Sequence, residues 1–372
     1  MESDVPAPKS NWIAAAQLGL LSSTFSTVVS QLSAARIGRD PAVDWMIVAT
    51  IPTRDWAISA DPSWEAILAG IAFHQWADFS WALVFFGLLG RWTASLAPAP
   101  LLAIAVPWAV FTSATEWLVL VPLLPFWQPI FPLQQPYWIG LLVHASSAFM
   151  YPLFPLLRWP IGHALPSRNV RLAKACGAIG IVLTIALAVI ATLSTLGHEM
   201  PWRGSDLQSD QTYIRHMTTH HEQGIELAEL GAARASDPHL RALARLMVAN
   251  QTGENRILKA WWSSWFSEPM SLCTPEERAS MPGFLTAEQM QAVKSAPPGP
   301  FDEIFVRSMS IHHAGAVKMA DQEWHSRGDL RLRIMAHAIR HQQQGEIALM
   351  QGANGIEAVS IAVRNMMADN VN

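Results

Sequence analysis

The chain has few cysteines and lacks the short motifs that mark several enzyme classes. Its 372 residues include 2 cysteines, Cys176 and Cys273, which lie far apart and predict no disulfide framework. No Glu is followed three residues later by His, as di-iron carboxylate bundles require, and no phosphate loop, nucleophile elbow or H-E-x-x-H motif occurs. The sequence therefore predicts a protein that is not an enzyme of these classes. Cys273 is interpreted as an unpaired thiol rather than a ligand.

Charged residues are scarce in the first part of the chain. Residues 1–197 contain 18 Asp, Glu, Lys and Arg and 12 of the 17 Trp, whereas residues 198–372 contain 36 charged residues, 10 of the 13 His and 12 of the 15 Met. This contrast predicts a membrane domain, 1–197, followed by a soluble domain, 198–372. The net charge of −4 argues against nucleic acid as a partner, and nothing in the sequence indicates an oligomer.

Long apolar segments predict four or five transmembrane helices. A membrane helix needs about 20 mostly apolar residues. Four segments meet this requirement well: 66–90, 101–124, 136–157 and 174–196. A fifth, 11–35, is interrupted by Gln17 and Gln31 and lacks a clear cleavage site, so we predict a retained span rather than a removed signal peptide.

Basic residues predict the orientation of these spans. Arg158, Arg168, Arg171 and Lys174 lie in the link before the last span, and Arg91 lies in an earlier link. Such residues are enriched on the cytoplasmic side of a membrane. The C-terminal domain is therefore predicted on the outer side, which is the periplasm if the membrane is a bacterial inner membrane.

Four ionisable side chains lie inside the predicted spans. His74 and Asp78 share one helix, and Glu116 and His144 lie on the next two. An ionised group at the centre of a span costs on the order of 3 kcal/mol, so such residues usually face a partner or a cavity. His74, Glu116 and His144 are predicted at a similar depth. Two interpretations stay open: a buried metal, proton or haem site, or interhelical hydrogen bonds that fix the packing.

The C-terminal domain contains an internal repeat with an offset of 92 residues. The repeated pairs are Met217 and Met309, His220 and His312, His221 and His313, Gln251 and Gln343, and Glu254 and Glu346. A spacing kept over two helix-length segments predicts one supersecondary unit used twice.

Helical patterns predict that each unit is a hairpin, 210–266 and 301–351, with a proline-rich connector at 267–300. Asp237 and Pro238 predict the turn of the first hairpin. Thr286 and Gln289 predict a capping box that opens a short helix in the connector. Two antiparallel hairpins make an all-α, ferritin-like four-helix bundle.

The repeated residues predict a metal site. Because helices rise about 1.5 Å per residue, each His pair is expected level with the Gln/Glu pair of its own hairpin. The candidate ligands are Met309, His312, His313, Met319, Glu346 and Met350 in the second hairpin, and Met217, His220, His221 and Glu254 in the first. Thioether and imidazole favour Cu(I), and imidazole with carboxylate also accepts Cu(II) or Zn. The alternative is that these residues only pack the helices, since Met often fills gaps.

An ordered pattern over about 200–351 resembles the domain-of-unknown-function-305 family. The residues that carry it are Pro282, Gly283, Thr286, Met290, Phe301, Asp302, Met309, His312, His313, Ala316, Val317, Met319, Ala320, Gln343, Glu346 and Met350. The resemblance implies a small ferritin-like bundle, often periplasmic, and some members bind copper and contribute to copper resistance. The first hairpin departs from the pattern, with Leu227 and Leu258 at the positions of Met319 and Met350. The first part of the chain resembles no family.

Three functions are compatible with these observations. The first is a membrane-anchored copper-binding protein for copper homeostasis or resistance. The second is a metal transporter or a membrane redox protein that uses the four intramembrane residues. The third is a scaffold without metal.

Overall fold

The computed structural model describes residues 7–121, 129–159, 165–202 and 204–367, and it contains helices but no strand in these ranges. In chain order the helices are α1 Asn11–Ser33, α2 Pro41–Thr53, α3 Trp64–Leu83, α4 Gly90–Thr93, α5 Pro98–Thr115, α6 Ile130–Gln134, α7 Tyr137–Ala148, α8 Phe154–Arg158, α9 Ser167–Thr195, α10 Leu207–Arg234, α11 Pro238–Trp265, α12 Pro275–Ser280, α13 Ala287–Ser295, α14 Pro298–Trp324, α15 Leu330–Met350 and α16 Gly355–Met367. The predicted all-α fold is confirmed.

Among the residues that the structure describes, four helical segments are long and apolar enough to cross a membrane, judged by length and composition. They are Asn11–Ile37, Pro98–Leu120, Tyr137–Arg158 and Ser167–Thr195. The last three overlap the predicted spans 101–124, 136–157 and 174–196, although 122–124 lie outside the described residues. The first, Asn11–Ile37, overlaps the interrupted span predicted at 11–35.

The predicted span 66–90 is helical but does not belong to this group. It corresponds to α3 and to the π-helical turn Val84–Leu88 that follows. His74, Gln75 and Asp78 are polar residues within α3, and they lower its hydropathy relative to the other spans.

The first compact unit comprises Met1–Leu32, Ile71–Val119 and Trp138–Val189. Its core is aromatic: Phe85, Phe86, Tyr151 and Phe154 are buried together, and the Phe86 and Phe154 rings are stacked at 3.9 Å between centroids. The helix α9 instead exposes many apolar side chains, among them Ile181 and Ile185. Exposed apolar surface of this extent is typical of a helix that faces lipid.

The second compact unit comprises Ser33–Gly70, Leu120–Tyr137 and Ile190–Asn372. Its centre consists of two antiparallel hairpins, α10 with α11 and α14 with α15, and α10 also packs against α14. Asp237 accepts a hydrogen bond from the backbone N–H of His239 and Pro238 starts α11, as predicted for this turn. The predicted capping box at Thr286 and Gln289 is confirmed at the start of α13. These signals explain why the helices begin within a few residues of the predicted positions.

Two segments from the first part of the chain also belong to this unit. The short helix α6 packs against α15 and against α2. A Cβ added to Gly345 would lie 2.0 Å from the carbonyl oxygen of Leu133, and one added to Gly253 would lie 2.8 Å from Cβ of Asp40. Gly253 and Gly345 are equivalent positions of the repeat, so both hairpins use a glycine to admit one of these segments. The predicted boundary at 197/198 therefore separates segments that the fold packs together.

Candidate metal centre

The repeated histidines and glutamates form two similar pairs inside the bundle. His221 Nε2 lies 2.7 Å from Glu254 Oε2, and His313 Nε2 lies 2.6 Å from Glu346 Oε2. Both imidazoles are completely buried. Each pair joins the first helix of a hairpin to its second helix. The two residues of a pair lie at the same height along the hairpin, as their similar numbers of residues from the turn predict.

The other two histidines face each other between the hairpins. The rings of His220 and His312 lie 3.9 Å apart between centroids, with an angle of 35° between their planes. His220 Nε2 lies 3.1 Å from the carbonyl oxygen of Pro282, and His312 Nε2 lies 3.0 Å from the carbonyl oxygen of His220. Gly224 leaves room for this arrangement, because a Cβ there would lie 2.7 Å from Cε1 of His312.

These contacts define which nitrogen of each ring is available for a metal. A carbonyl or carboxylate oxygen can only accept a hydrogen bond, so Nε2 of each of the four rings must carry the proton that is donated. In a neutral ring, Nδ1 then keeps its lone pair. The four Nδ1 atoms are buried and have no hydrogen-bond partner within the described parts of the chain. An imidazole whose N–H is oriented by an oxygen and whose other nitrogen is free is the usual arrangement of a metal ligand.

Electrostatics keep the two facing rings neutral. Burial, together with repulsion from the neighbouring His221, lowers the pKa of His220 to about 3. Burial, together with repulsion from His220 and His313, places the pKa of His312 well below its usual value. Both rings are therefore uncharged at neutral pH, which metal binding requires.

Two buried amides lie on the second helices beside these rings. The side chains of Gln251 and Gln343 are fully buried, and both polar atoms of each lack a hydrogen-bond partner among the described residues. An added Cβ at Gly224 would lie 2.2 Å from Oε1 of Gln251, which places this amide at the His312 ring. Burying an amide without a hydrogen-bond partner costs on the order of 1–3 kcal/mol. An ion that contacts the amide oxygen would offset part of this cost.

The thioethers do not gather around one point. Met309 packs in the apolar cluster that contains Leu227 and Phe305, whereas Met217 and Met319 pack in a second cluster. Met309 and Met319 are separated by ten residues of one helix, or about 15 Å along its axis. Met350 lines a surface pocket with His239. The six predicted ligands of the second hairpin thus share a helix face or a level, but the structure does not bring all six together.

A hydrogen-bonded chain links this centre to α6. Asn250 Nδ2 donates to Glu346 Oε1 and to Gln134 Oε1, at 2.8 Å in both cases, and the other oxygen of Glu346 holds His313. His341, a buried ring next to Gln342, donates from Nε2 to the carbonyl oxygen of Pro132 at 3.0 Å. Residues near α6 therefore orient side chains that face the candidate ligands, a connection that the sequence did not predict.

The four ionisable residues of the predicted spans belong to one connected polar network in the first unit. Asp78 accepts a hydrogen bond from Ser26 Oγ at 2.5 Å, and Ser26 Oγ also lies 3.1 Å from His74 Nε2. His144 Nδ1 lies 3.9 Å from Asp78 Oδ1, and His144 Nε2 lies 3.1 Å from Glu116 Oε2. The four predicted residues are thus linked one to the next, from His74 through Asp78 and His144 to Glu116.

Two further side chains complete the network. Thr112 Oγ1 lies 3.0 Å from His144 Nδ1, and Trp81 Nε1 donates to Glu116 Oε1 at 2.5 Å. Glu116 is the first residue of a π-helical turn, Glu116–Leu120, and such turns often occur at functional sites. The arrangement is a chain of pairs, which suits proton movement or fixed packing better than the chelation of one ion.

The sequence missed one cluster of potential ligands. Across the described ranges, one group of three or more His, Cys, Asp or Glu side chains has a ligand atom of each within 4.8 Å of the others: His216, Cys273 and Glu277. The four histidines of the bundle do not form such a group. Cys273 is a free thiol, as expected, but it lies beside two other ligand types.

The family comparison matches the C-terminal part of the chain and leaves the first part unassigned. The family of domain of unknown function 305 (DUF305) matches residues 210–354. Among solved structures, a DUF305 protein from Streptomyces coelicolor is 24% identical, with a TM-score of 0.35 over 38% of this chain and 89% of that one. A DUF305 fragment from Deinococcus radiodurans is 27% identical, with a TM-score of 0.36 over 39% and 93%.

A third similar structure is that of CopM in a Cu(I)-bound form. It is 29% identical, with a TM-score of 0.33 over 38% of this chain and 92% of CopM. Among curated protein sequences, none matches this chain.

Proposed function

Since residues 210–354 form a DUF305 domain, we propose that this chain is a membrane-anchored protein that binds copper in the buried centre of its bundle. The observation that carries the proposal is the set of four buried imidazoles with unpartnered Nδ1 atoms. The Cu(I) of CopM belongs to that protein, and the proposal rests on the residues of this chain.

The donor types favour copper over harder cations. Imidazole nitrogens suit copper and zinc, whereas Mg²⁺ and Ca²⁺ prefer carboxylate, carbonyl and water oxygens. His220 and His312 face each other, and the oxygen atoms that accept from their Nε2 atoms belong to neutral backbone carbonyls rather than to carboxylates. In such surroundings a singly charged ion loses less hydration energy than a doubly charged one. We therefore favour Cu(I), with Cu(II) and Zn as alternatives.

Glu254 and Glu346 act in this proposal by orienting His221 and His313. Each carboxylate accepts the Nε2–H of its histidine and so fixes the tautomer that presents Nδ1. The proposed role is binding for copper homeostasis or resistance, with no catalytic step. We also propose that the domain lies on the periplasmic side of a bacterial inner membrane, because basic residues flank the inner ends of the predicted spans.

The test uses the full chain in detergent. Cu(I) affinity is measured by competition with a coloured chelator for the wild type, His312→Gln and His220→Gln. A Gln side chain keeps an N–H donor but lacks the second ring nitrogen. We expect each variant to bind Cu(I) at least about tenfold more weakly, as for loss of a ligand or its support.

The matched control is His325→Gln, which changes an exposed histidine at the end of α14. It should leave the affinity unchanged. Equal affinity for the wild type and both buried variants would contradict the proposed centre. No measurable Cu(I) binding by the wild type would favour the metal-free scaffold.

A second function, metal transport or membrane redox chemistry, is favoured by the polar network around Asp78. Its test is copper tolerance in cells that produce His74→Gln, Glu116→Gln or His144→Gln at equal protein abundance. A shared loss of tolerance would support one functional site. Equal tolerance would indicate that the first part serves only as a membrane anchor. The four residues would then only fix helix packing, and replacing one should cost little, since interhelical hydrogen bonds contribute about 0.6 kcal/mol on average.

A further inference from the structure

His216, Cys273 and Glu277 lie together on the outside of the bundle, where the connector crosses α10. His216 is on α10 one turn before His220, Cys273 is in the connector, and Glu277 is in the first turn of α12. One ligand atom of each lies within 4.8 Å of the other two, and His216 Nε2 is 3.7 Å from Glu277 Oε1. The sequence places these residues up to 61 positions apart, so only the fold reveals the group.

Surrounding hydrogen bonds hold two of the three ligands in place. Glu277 Oε2 accepts from the backbone N–H of Thr274 at 2.7 Å, and both of its oxygens accept from Arg215 Nη2. Thr219 Oγ1 donates to Cys273 Sγ at 3.3 Å, and the thiol donates to the carbonyl oxygen of Arg215 at 3.6 Å, a proton that metal binding would release. His216 Nε2 has no hydrogen-bond partner within the described ranges. The ring therefore presents an unused nitrogen to a preformed thiol and carboxylate.

We propose that these three residues form a second metal site, distinct from the buried histidines, which binds Zn²⁺. Donor atoms around one tetrahedral zinc ion lie roughly 3.5 Å apart. The three ligand atoms, which lie within 4.8 Å of one another, therefore need to approach only slightly to bind one ion. A thiolate, an imidazole and a carboxylate are the three ligand types that zinc accepts together. His216 and Glu277 are partly exposed, which leaves a fourth position for water.

Charge attracts a cation to this site. A Cys273 thiolate and the Glu277 carboxylate supply two negative charges, and the Arg215 guanidinium offsets one of them. The group therefore carries one net negative charge before a cation binds, and a bound divalent cation leaves one net positive charge. The thiolate and the carboxylate give this site a donor set that differs from the buried imidazoles.

The experiment uses the full chain in detergent under reducing conditions, with Co²⁺ as a spectroscopic substitute for Zn²⁺. A thiolate bound to Co²⁺ gives a charge-transfer absorption band. We expect this band in the wild type, and we expect it to disappear when Zn²⁺ is added. Cys273→Ser should abolish it, and His216→Gln should weaken Co²⁺ binding at least tenfold. His216 is partly exposed, so its variant should keep the fold, which circular dichroism checks.

The matched control is Cys176→Ser, which changes the other thiol, in α9. The band should persist in this variant. It should also persist in His312→Gln, so failure of the buried copper centre would be distinguishable from failure of this site. Absence of the band in the wild type, or its persistence in Cys273→Ser, would overturn the proposal and leave Glu277 as a helix cap paired with Arg215.

Discussion

At the scale of single residues, a candidate metal ligand is defined by whether its nitrogen or sulfur atom is free to bind a metal. The residue type alone does not decide this. In the four repeated histidines an oxygen atom holds Nε2 and leaves Nδ1 without a partner among the described residues, an arrangement that His341 shares. Methionines have no such orienting contact. Met309 and Met319 pack in different apolar clusters, so they are expected to contribute unequally to copper binding.

The first prediction compares these two methionines. Met309→Leu removes the thioether one turn before His312 and His313, and Met319→Leu removes one about 10 Å beyond them along the helix. We expect Met309→Leu to weaken Cu(I) binding several-fold and to change Zn²⁺ binding little, because soft ligands select Cu(I). Met319→Leu serves as the control, since Met to Leu preserves volume. Equal Cu(I) affinity of both variants and the wild type would show that neither thioether is a ligand.

The second prediction concerns pH. Burial raises the pKa of Glu323 to about 7 from 4.5, and repulsion from Asp210 acts in the same direction. The folded state therefore binds this proton more tightly than the unfolded state. The stability that it contributes is fully present below about pH 4.5 and is lost as the pH rises through about 7.

Glu323→Gln removes this titration and keeps an amide that Ser326 can still contact. We expect the variant to gain up to about 3 kcal/mol over the wild type at about pH 8, and little at about pH 5. Thermal midpoints of the full chain at the two pH values measure the difference. The control, Glu303→Gln, changes an exposed carboxylate and should show no such dependence. A gain of equal size at both pH values would contradict the explanation.

At the scale of helices, the repeat places one glycine on the second helix of each hairpin. Gly253 faces Asp40 and Gly345 faces the backbone of Leu133. The other repeated residues face the interior of the bundle, whereas these two admit outside segments. Close approach of a backbone to a helix requires a residue without a side chain. The repeat thus encodes both a buried centre and a surface that receives α6 and the start of α2.

The third prediction tests this surface with Gly345→Ala. The added Cβ would lie 2.0 Å from a carbonyl oxygen that cannot easily move. We expect a loss of about 1–3 kcal/mol in the free energy of unfolding, as for overpacked cores. Gly253→Ala should cost less, because the nearest atoms belong to the Asp40 side chain. Gly299→Ala is the control, since nothing lies within 4 Å of its Cβ, and an undisturbed Gly345→Ala would refute the close packing.

At the scale of the whole molecule, the question is which side of a membrane the bundle faces. Arg158, Arg168, Arg171 and Lys174 flank the start of α9, and they favour the cytoplasm at that end. If α9 spans the membrane, residues after 195 then lie outside. Copper would reach the bundle from the periplasm rather than from the cytoplasm.

The fourth prediction follows from this orientation. A reporter enzyme that is active only after export is fused after residue 200 of the chain. We expect activity, and we expect a reporter that is active only in the cytoplasm to be silent at the same position. Exchanging Arg168, Arg171 and Lys174 for Gln should weaken the preference. The opposite pattern of activity would overturn both the orientation and the proposed supply of copper from the periplasm.

The sequence alone determined the helical class and the bundle. The offset of 92 residues, the Asp237–Pro238 turn and the capping box at Thr286 are local signals, and local signals fix where helices begin. The distance of His221 from its turn also fixed its level relative to Glu254. Helix geometry is regular, so positions along one hairpin can be counted from the chain.

Only the tertiary structure decided how separate elements meet. It placed Met309 and Met319 in different clusters, joined α6 to the bundle, and brought His216 to Cys273 and Glu277. Helical periodicity gives the face and the height of a residue, but not the rotation of one helix against another or the path of a connector. Those depend on packing between residues far apart in the chain, such as Gly345 and Leu133, and no local pattern records them.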